Sequence, residues 1–121
     1  MTKTEYINVI IDYCNENPMI RAGVFVKSRR SVFMIRDFIT TESNAGNYEV
    51  CLNGASGKCV VEFKNGSTLL IGIANEYNMV GQRFHVAFIE DEVRKDIVYT
   101  YLSPRMVWKF SNAPFNWIVF A

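Results

Sequence analysis

Three consecutive acids, Glu90, Asp91 and Glu92, follow an uninterrupted apolar run and are the residues best placed to do chemistry. The run, Phe84 to Ile89, is typical of a strand buried on both faces, and open α/β sheets bind ligands at the carboxyl ends of such strands. Adjacent carboxylates at such a strand end can hold Mg²⁺ and polarise an attacking water in phosphoryl transfer. The alternative is structural: acids favour the first turn of a helix, so the cluster can also be a strand end followed by the start of the next helix.

A second candidate site is basic. No acid occurs between Asn17 and Arg36, and five basic residues give this stretch a local charge of +5. These residues are Arg21, Lys27, Arg29, Arg30 and Arg36. The pattern indicates either a solvated face or a patch that faces phosphates or acidic groups. A smaller cluster of Arg105, Trp108 and Lys109 is suited to a protein hot spot or a stacked base, or to a Trp that covers the core.

Metal-binding and nucleophilic chemistry have few candidate residues. Cys14, Cys51 and Cys59 show no Cys-x-x-Cys spacing, and the single histidine, His85, lies inside an apolar run. A structural zinc site would need all four of these residues as its ligands. We therefore expect no metal site, thiols that act as small core side chains, and a packed imidazole.

The first third of the chain predicts a helix, a buried strand and a second helix, which is an α/β pattern. Apolar residues recur at helical spacing from Thr4 to Asn17, with Tyr6, Val9, Ile10, Tyr13 and Cys14 on one face, and Pro18 ends the segment. The run from Arg21 to Val26 is rich in strand formers. Ser28 can cap a helix that extends to about Thr40.

The rest of the chain predicts short strands around one more helix. The strands span Tyr48 to Leu52, Cys59 to Phe63, Thr68 to Ile73 and Asn116 to Ala121. Asn65-Gly66 predicts a type I′ hairpin turn, which requires positive φ at both residues. Val93, Ile97, Val98 and Tyr101 describe a helical face closed by Pro104, and we expect the last strand to lie beside the Phe84–Ile89 strand.

Composition excludes several classes of protein. The 121 residues are 50% hydrophobic and 14% aromatic, which is enough for one core, so we expect a single domain over residues 1–121 and no intrinsic disorder. A net charge of +1 does not indicate a general nucleic-acid or acidic-lipid binder. No apolar run approaches the roughly 20 residues of a membrane helix. We expect no membrane association and a cytoplasmic location in the host cell.

The segment from Asn65 to Asp91 resembles the ATPase domain of phage large terminase subunits. Its Asn65-Gly66-Ser67 hairpin, the loop around Gly81 and the strand ending in Glu90-Asp91 are similar in order and spacing to that family's Asn-Gly-Ser hairpin, Arg-Gly loop and Walker B strand. The resemblance implies a three-layer α/β domain with a mixed, partly parallel sheet, like a truncated P-loop ATPase core. It leaves open whether Glu90-Asp91 or Asp91-Glu92 is the Walker B-like pair.

The chain also departs from that family. Lys3-Thr4 lies where the Gly-Lys-Thr of Walker A would end, and Val80 replaces the Arg of the Arg-Gly loop, although Arg83 is close. We expect Lys3 to be a frayed terminal lysine and the phosphate-binding loop and its strand to be absent.

These features predict a phage- or mobile-element-encoded, non-catalytic protein that binds a macromolecule. An anti-CRISPR-type or other anti-defence inhibitor is its most concrete form, by analogy alone. A protein partner is expected first, and a nucleic acid or a second copy of the chain are the alternatives. The enzyme alternative is a partial terminase-like ATPase in DNA packaging that uses Mg-ATP with Glu90, Asp91 and Glu92; otherwise we expect no cofactor. The third hypothesis is a nucleic-acid-binding accessory factor.

Overall fold

The computed structural model describes residues 2–41, 48–53, 57–107 and 118–121. In these ranges the helices are α1 (Lys3–Glu16), α2 (Arg29–Thr40), α3 (Glu76–Val80) and α4 (Lys95–Ile97). The strands are β1 (Arg21–Val26), β2 (Tyr48–Asn53), β3 (Lys58–Phe63), β4 (Thr68–Ile73), β5 (Val86–Ile89) and β6 (Ile118–Phe120). After α4 the chain continues through a π-helical turn, Val98–Leu102, and a 3₁₀ turn, Ser103–Arg105.

The six strands form one mixed sheet in the order β2-β3-β4-β1-β5-β6. Strand β1 pairs in parallel with β4 and β5, and β5 pairs in parallel with β6. Strands β2, β3 and β4 form an antiparallel meander. The predicted α/β class with a partly parallel sheet is confirmed, and the described part of the last strand lies beside β5 as expected.

Helices cover both faces of the sheet, because the central strands are apolar on both sides. On one face, α1 and α2 pack Ile10 and Ile35 against a cluster that includes Val24. On the other face, α3, α4 and the turns that follow α4 enclose Phe25 and Phe84. Their rings meet edge to face with centroids 5.4 Å apart, so the sheet is the middle one of three layers.

Helix α1 begins and ends on side-chain caps. The Thr2 Oγ1 accepts a hydrogen bond from the Glu5 N–H at 3.2 Å, as an N-cap should, and the Asn17 Nδ2 at the other end donates to the Tyr13 carbonyl at 3.0 Å. The buried side chains are Ile7, Ile10, Ile11, Tyr13 and Cys14. The buried stripe is therefore rotated from the predicted one, and Tyr6 and Val9 lie at its border.

The hairpin between β3 and β4 has a different turn from the one predicted. Only Gly66 has positive φ there, at 88°, whereas type I′ would need positive φ at Asn65 as well. The Gly66 N–H donates to the Phe63 carbonyl and the Phe63 N–H to the Ser67 carbonyl. This is a type I turn followed by a glycine bulge, the common three-residue alternative. Within this turn the Asn65 Oδ1 accepts a hydrogen bond from the Ser67 N–H at 3.0 Å.

The segments on either side of the acids are less regular than the sequence predicts. Strand β5 begins at Val86 rather than Phe84, because the Arg21 N–H donates to His85 Nδ1 at 2.8 Å instead of to a strand carbonyl. Phe84 forms an isolated bridge with Met106. The helical region after Glu92 changes type twice and passes through Pro104, which is tolerated in the first turn of its 3₁₀ segment. The sequence pattern does not predict helix α3. No helix within the described ranges is long and apolar enough to cross a membrane.

Candidate functional site

Two helices begin at the carboxyl edge of the parallel strands. Helix α1 packs beside the sheet and begins at Lys3, and α2 begins at Arg29, directly after β1 and the N-cap Ser28. Strand β5 ends at the same edge, next to β1. Unpaired N–H groups at helix starts favour negative charge, so this edge suits an acid or an anion.

Glu90 is the acid that occupies this edge. It follows β5 and is only 4% exposed. Its N–H donates to the Phe25 carbonyl, which continues the pairing of β5 with β1 by one residue. Its Oε1 accepts a hydrogen bond from the Lys27 N–H at 3.0 Å. Its Oε2 forms an ion pair with the Lys3 ammonium. Both carboxylate oxygens are therefore bound by groups of the protein.

These neighbours keep Glu90 ionised. Burial by itself raises the pKa of this carboxyl, but hydrogen bonds from Lys3 and the Lys27 N–H, the Lys3 charge and the Ser31 hydroxyl outweigh burial and hold the pKa below its ordinary value. A buried carboxylate is stable only with such compensation. The site is therefore an anion already neutralised by the fold.

The structure separates the three acids. Glu90 is buried, whereas Asp91 and Glu92 are exposed. The Asp91 N–H donates to the Ala121 carbonyl, which extends the β5–β6 pairing by one residue and turns the chain away from the sheet. Of the two pairs left open by the sequence, Glu90-Asp91 is the one whose first acid lies beside Lys3.

Lys3 is the site residue that sequence reasoning missed. It is the first residue of α1 and is partly covered, so the expectation of a frayed terminal lysine is wrong. The ion pair joins residues 87 positions apart, and nothing local marks it. The signal in the sequence was the position of Lys3-Thr4, where the Gly-Lys-Thr of a Walker A motif would end.

The basic stretch is continuous in sequence but divided in space. Lys27, Arg29 and Arg30 are exposed at the carboxyl edge. Arg21 lies at the opposite end of β1, where its Nη1 donates to the Gly66 carbonyl and the Thr68 hydroxyl at 3.2 and 3.3 Å. Arg36 lies along α2 and is neutralised by Asp37 at 2.6 Å. No single +5 surface forms from these residues.

The remaining predicted residues fall in other places. Arg105 lies in the 3₁₀ turn, where its carbonyl accepts the Phe84 N–H. Trp108 and Lys109 lie outside the described residues, as does the side chain of Cys51. Cys14 and Cys59 are buried, and burial raises the pKa of the Cys14 thiol to about 12, as expected of a core cysteine. Burial and the nearby Arg21 lower the pKa of His85, whose Nδ1 accepts a backbone N–H.

Metal-ligating groups are not concentrated anywhere in the described part of the chain. No group of three or more His, Cys, Asp or Glu side chains there could hold a metal ion. At the carboxyl edge, the one buried acid already has both oxygens bound. The residues present therefore do not fit Mg-ATP without a rearrangement of Lys3 and Lys27.

Comparison with solved structures places this geometry in a known fold. The chain is similar to the large terminase ATPase domain of Thermus phage P74-26, with a TM-score of 0.67 and 11% identity over 98% of this chain and 53% of that one. It is also similar to the large terminase of a thermophilic bacteriophage in complex with ADP, with a TM-score of 0.54 and 11% identity over 92% of this chain and 27% of that one. Another crystal form of that bacteriophage's large terminase matches with a TM-score of 0.53 and 10% identity, over 92% of this chain and 28% of that one. No family model and no curated protein matches the sequence.

The chain therefore has the fold of a phage terminase ATPase domain, as the resemblance implied. It spans about half of the ATPase domain that it matches and about a quarter of the terminase chain from the thermophilic bacteriophage. At this level of identity the likeness concerns the fold, and activity has to be argued from the residues.

Proposed function

We propose that this protein is a phage- or mobile-element-encoded domain that keeps a terminase-ATPase-like fold, does not hydrolyse ATP by itself and acts by binding a protein partner. The observation that supports the proposal best is the state of Glu90. Its carboxylate is buried and both of its oxygens are bound, to the Lys3 ammonium and to the Lys27 N–H.

Phosphoryl transfer would need the Lys3 ammonium and the Glu90 carboxylate to bind the nucleotide and its metal ion instead of each other. Catalysis by P-loop proteins rests on a lysine at the phosphates and on acids that hold Mg²⁺ and orient the water. Here the lysine and the buried acid neutralise each other. Moving Lys3 to a phosphate would leave a carboxylate that is 4% exposed without its cation, and an unpaired buried charge is costly. The pair therefore works as a structural clamp between α1 and β5.

The charge and the layers of the fold support a protein as the partner. A sheet with two helical layers and a nearly neutral charge offers surfaces for a protein more readily than for a polyanion. The specific role we propose is that of a small phage product that inhibits host defence, of the anti-CRISPR type or similar, by analogy alone. A pull-down from the producing cell followed by mass spectrometry would identify the partner.

The second candidate is a partial terminase-like ATPase completed by another chain. One observation favours it: Lys3 stands at the start of α1 beside the buried acid of β5, in a fold shared with ATPase domains. In that case Mg-ATP would bind at the carboxyl edge, and Glu90, Asp91 and Glu92 would be its acids.

A steady-state ATPase assay of the 121-residue chain with Mg²⁺ separates these two candidates. We expect no turnover above the protein-free blank, and no difference between wild type, Glu90→Gln and Asp91→Asn. Asp12→Asn, at an exposed position of α1, is the matched control for removal of one negative charge. Turnover that Glu90→Gln or Asp91→Asn abolishes and Asp12→Asn preserves would establish the ATPase and end the non-catalytic proposal.

A further inference from the structure

A groove of about 290 Å³ lies on the face of the sheet opposite α1 and α2. Its floor is formed by β3 and β4, and one wall is formed by α3 and the residues that follow it. The groove is separate from the Glu90 site, which opens at the carboxyl edge of β1 and β5. None of the three acids of the cluster lines it.

Strand register orders the floor into three successive steps. At one end Arg21 pairs with Thr68, and in the middle Val60 pairs with Leu70. At the other end Lys58 lies opposite Gly72. Thr68 and Gly72 are four residues apart on β4, and Arg21 and Lys58 lie on the strands at either side of β4. About 13 Å along the strand and about 10 Å across two strand spacings place the two cationic positions about 16 Å apart. Along β4, the floor therefore presents a cationic residue, then two apolar residues, then a second cationic residue.

The groove has positive ends and no acid in its lining. The Lys58 ammonium lies 5.8 Å from the ring centroid of Tyr77, which is 71% exposed. Arg21 uses Nη1 for the Gly66 and Thr68 oxygens, and a guanidinium has five N–H donors, so it can still bind an anion. Glu62 lies opposite Thr68 and outside the lining.

The wall adds a buried acceptor without a partner. Asn78 is 3% exposed, and its Nδ2 donates to the Ile73 carbonyl at 2.7 Å. Its Oδ1 is buried and has no hydrogen-bond partner among the described residues. An unsatisfied buried acceptor is unfavourable, so a bound N–H donor at this wall would be stabilising.

We propose that this groove binds an extended segment of a protein partner with the pattern acid-x-apolar-x-acid. The two acids pair with Arg21 and Lys58, and the apolar side chain lies over Val60 and Leu70. The inference rests on the proposed function, in which the chain binds a protein, and names the chemistry of that partner.

An extended segment comes closer to this spacing than a helix does. Acids at positions i and i+4 of an extended chain are about 13 Å apart, and the long Arg21 and Lys58 side chains can cover the remaining few ångströms. In a helix the same two positions are only about 6 Å apart along the axis. The acidic character follows from charge complementarity with a lining that contains two cations and no carboxylate.

Fluorescence anisotropy with a labelled Glu-Ser-Leu-Ser-Glu peptide tests the proposal. We expect saturable binding that a Gln-Ser-Leu-Ser-Gln peptide does not show. Lys58→Ala and Arg21→Gln should each weaken it about three- to fivefold, as expected for partly exposed ion pairs. Lys64→Ala removes an exposed lysine outside the groove and should leave affinity unchanged, whereas Glu62→Gln should strengthen binding. Circular dichroism melts check that each variant is folded.

A charge exchange makes the test independent of any loss of stability. Lys58→Glu should lose the acidic peptide and gain binding to Lys-Ser-Leu-Ser-Glu or Glu-Ser-Leu-Ser-Lys. Absence of binding to the acidic peptide, equal binding of the neutral peptide, or insensitivity to Lys58→Ala would overturn the proposal. So would binding of a labelled oligo-dT that the same variants lose, because it would assign the groove to nucleic acid. ATP turnover with intact peptide binding would reject the proposed function alone, and absence of both would reject the groove alone.

Discussion

Glu90 shows how one residue type can serve either chemistry or structure, depending on its neighbours. A carboxylate at the end of a parallel strand, between the starts of two helices, is placed as a metal ligand would be. Its immediate partners are a lysine ammonium and a backbone N–H, both of which are donors. Donors satisfy a carboxylate by themselves, so this geometry stabilises the fold.

The Lys3–Glu90 pair gives a stability prediction with a defined pH dependence. Because the folded pKa of Glu90 lies below its ordinary value, its contribution to stability is complete above about pH 4.5, and it is lost as the pH falls through the lowered pKa. Lys3→Met removes the ammonium, so burial should then raise the pKa of Glu90. We expect this variant to lose about 1–3 kcal/mol of unfolding free energy near neutral pH, less than for a fully buried pair because Lys3 is partly exposed.

Urea unfolding at neutral pH and at about pH 3.5 measures this effect, because ordinary carboxyls titrate between the two. The difference between wild type and Lys3→Met should shrink at the lower pH, where Glu90 is protonated in the variant. Lys64→Met, at an exposed turn position, is the control for the loss of one positive charge. The proposed role of the Lys3–Glu90 pair would be contradicted if wild type and Lys3→Met had the same unfolding free energy at neutral pH. It would also be contradicted if the difference between them grew on acidification.

The residue scale also shows what sequence reasoning could find. The Glu90 strand end was predictable because a strand and its acids are contiguous in sequence. Its partner Lys3 was not, since the ion pair closes only when α1 packs against the sheet. Arg36 was misassigned to a free basic patch for a similar reason: its neighbour Asp37 neutralises it, and the prediction counted only residues up to Arg36.

At the scale of elements, the β3–β4 hairpin also holds the end of α1. The Asn65 amide contacts the carbonyls of Cys14, Asn15 and Asn17 at 2.7, 3.2 and 3.1 Å. The Ser67 hydroxyl donates to the Asn17 carbonyl at 2.6 Å as well. These carbonyls lie at the helix end, where hydrogen-bond partners are missing. The Asn-Gly-Ser motif of this chain is therefore a cap for a helix distant in sequence.

Gly66→Val tests the hairpin. Gly66 has φ of 88°, which a β-branched residue adopts only with strain, and a Cβ there would lie 2.5 Å from the Met19 sulfur. We expect a loss of about 1–3 kcal/mol in unfolding free energy. Lys64→Ala in the same turn should be nearly silent, because its side chain is exposed. Equal melting temperatures for the two variants would refute the assigned turn.

Element boundaries were predictable where periodicity or caps were strong. The α2 start at Ser28 and the three strands of the meander follow from local sequence, and the structure confirms them. The region after Glu92 could not be predicted, because apolar spacing does not distinguish an α-helix from the π-helical and 3₁₀ turns that the chain forms there. The turn type was predicted wrongly, because the local sequence does not show that the Asn65 Nδ2 donates to carbonyls at the end of α1 while its Oδ1 accepts the Ser67 N–H.

For the whole molecule, the arrangement of strands and helices was more predictable from the sequence than the distribution of charge on the surface. Apolar strands on both faces require helices on both sides, and the structure has that arrangement. The distribution of charge was not predictable, because it depends on which end of β1 each basic residue reaches. Arg21 faces a groove at one end, whereas Lys27, Arg29 and Arg30 share the other with exposed Asp91 and Glu92.

This distribution predicts weak affinity for nucleic acid. Three basic residues at the carboxyl edge are accompanied by two exposed acids, and Arg36 is already neutralised, so few phosphates could be contacted at once. Each phosphate contact contributes about 0.7–0.9 to the slope of log affinity against log salt, and three would give only shallow, weak binding. We expect no micromolar binding of labelled duplex or single-stranded DNA in anisotropy at two salt concentrations, and no change in Arg29→Ala/Arg30→Ala. Micromolar, salt-sensitive binding that this double variant loses would favour a nucleic-acid-binding accessory factor over a protein-binding domain.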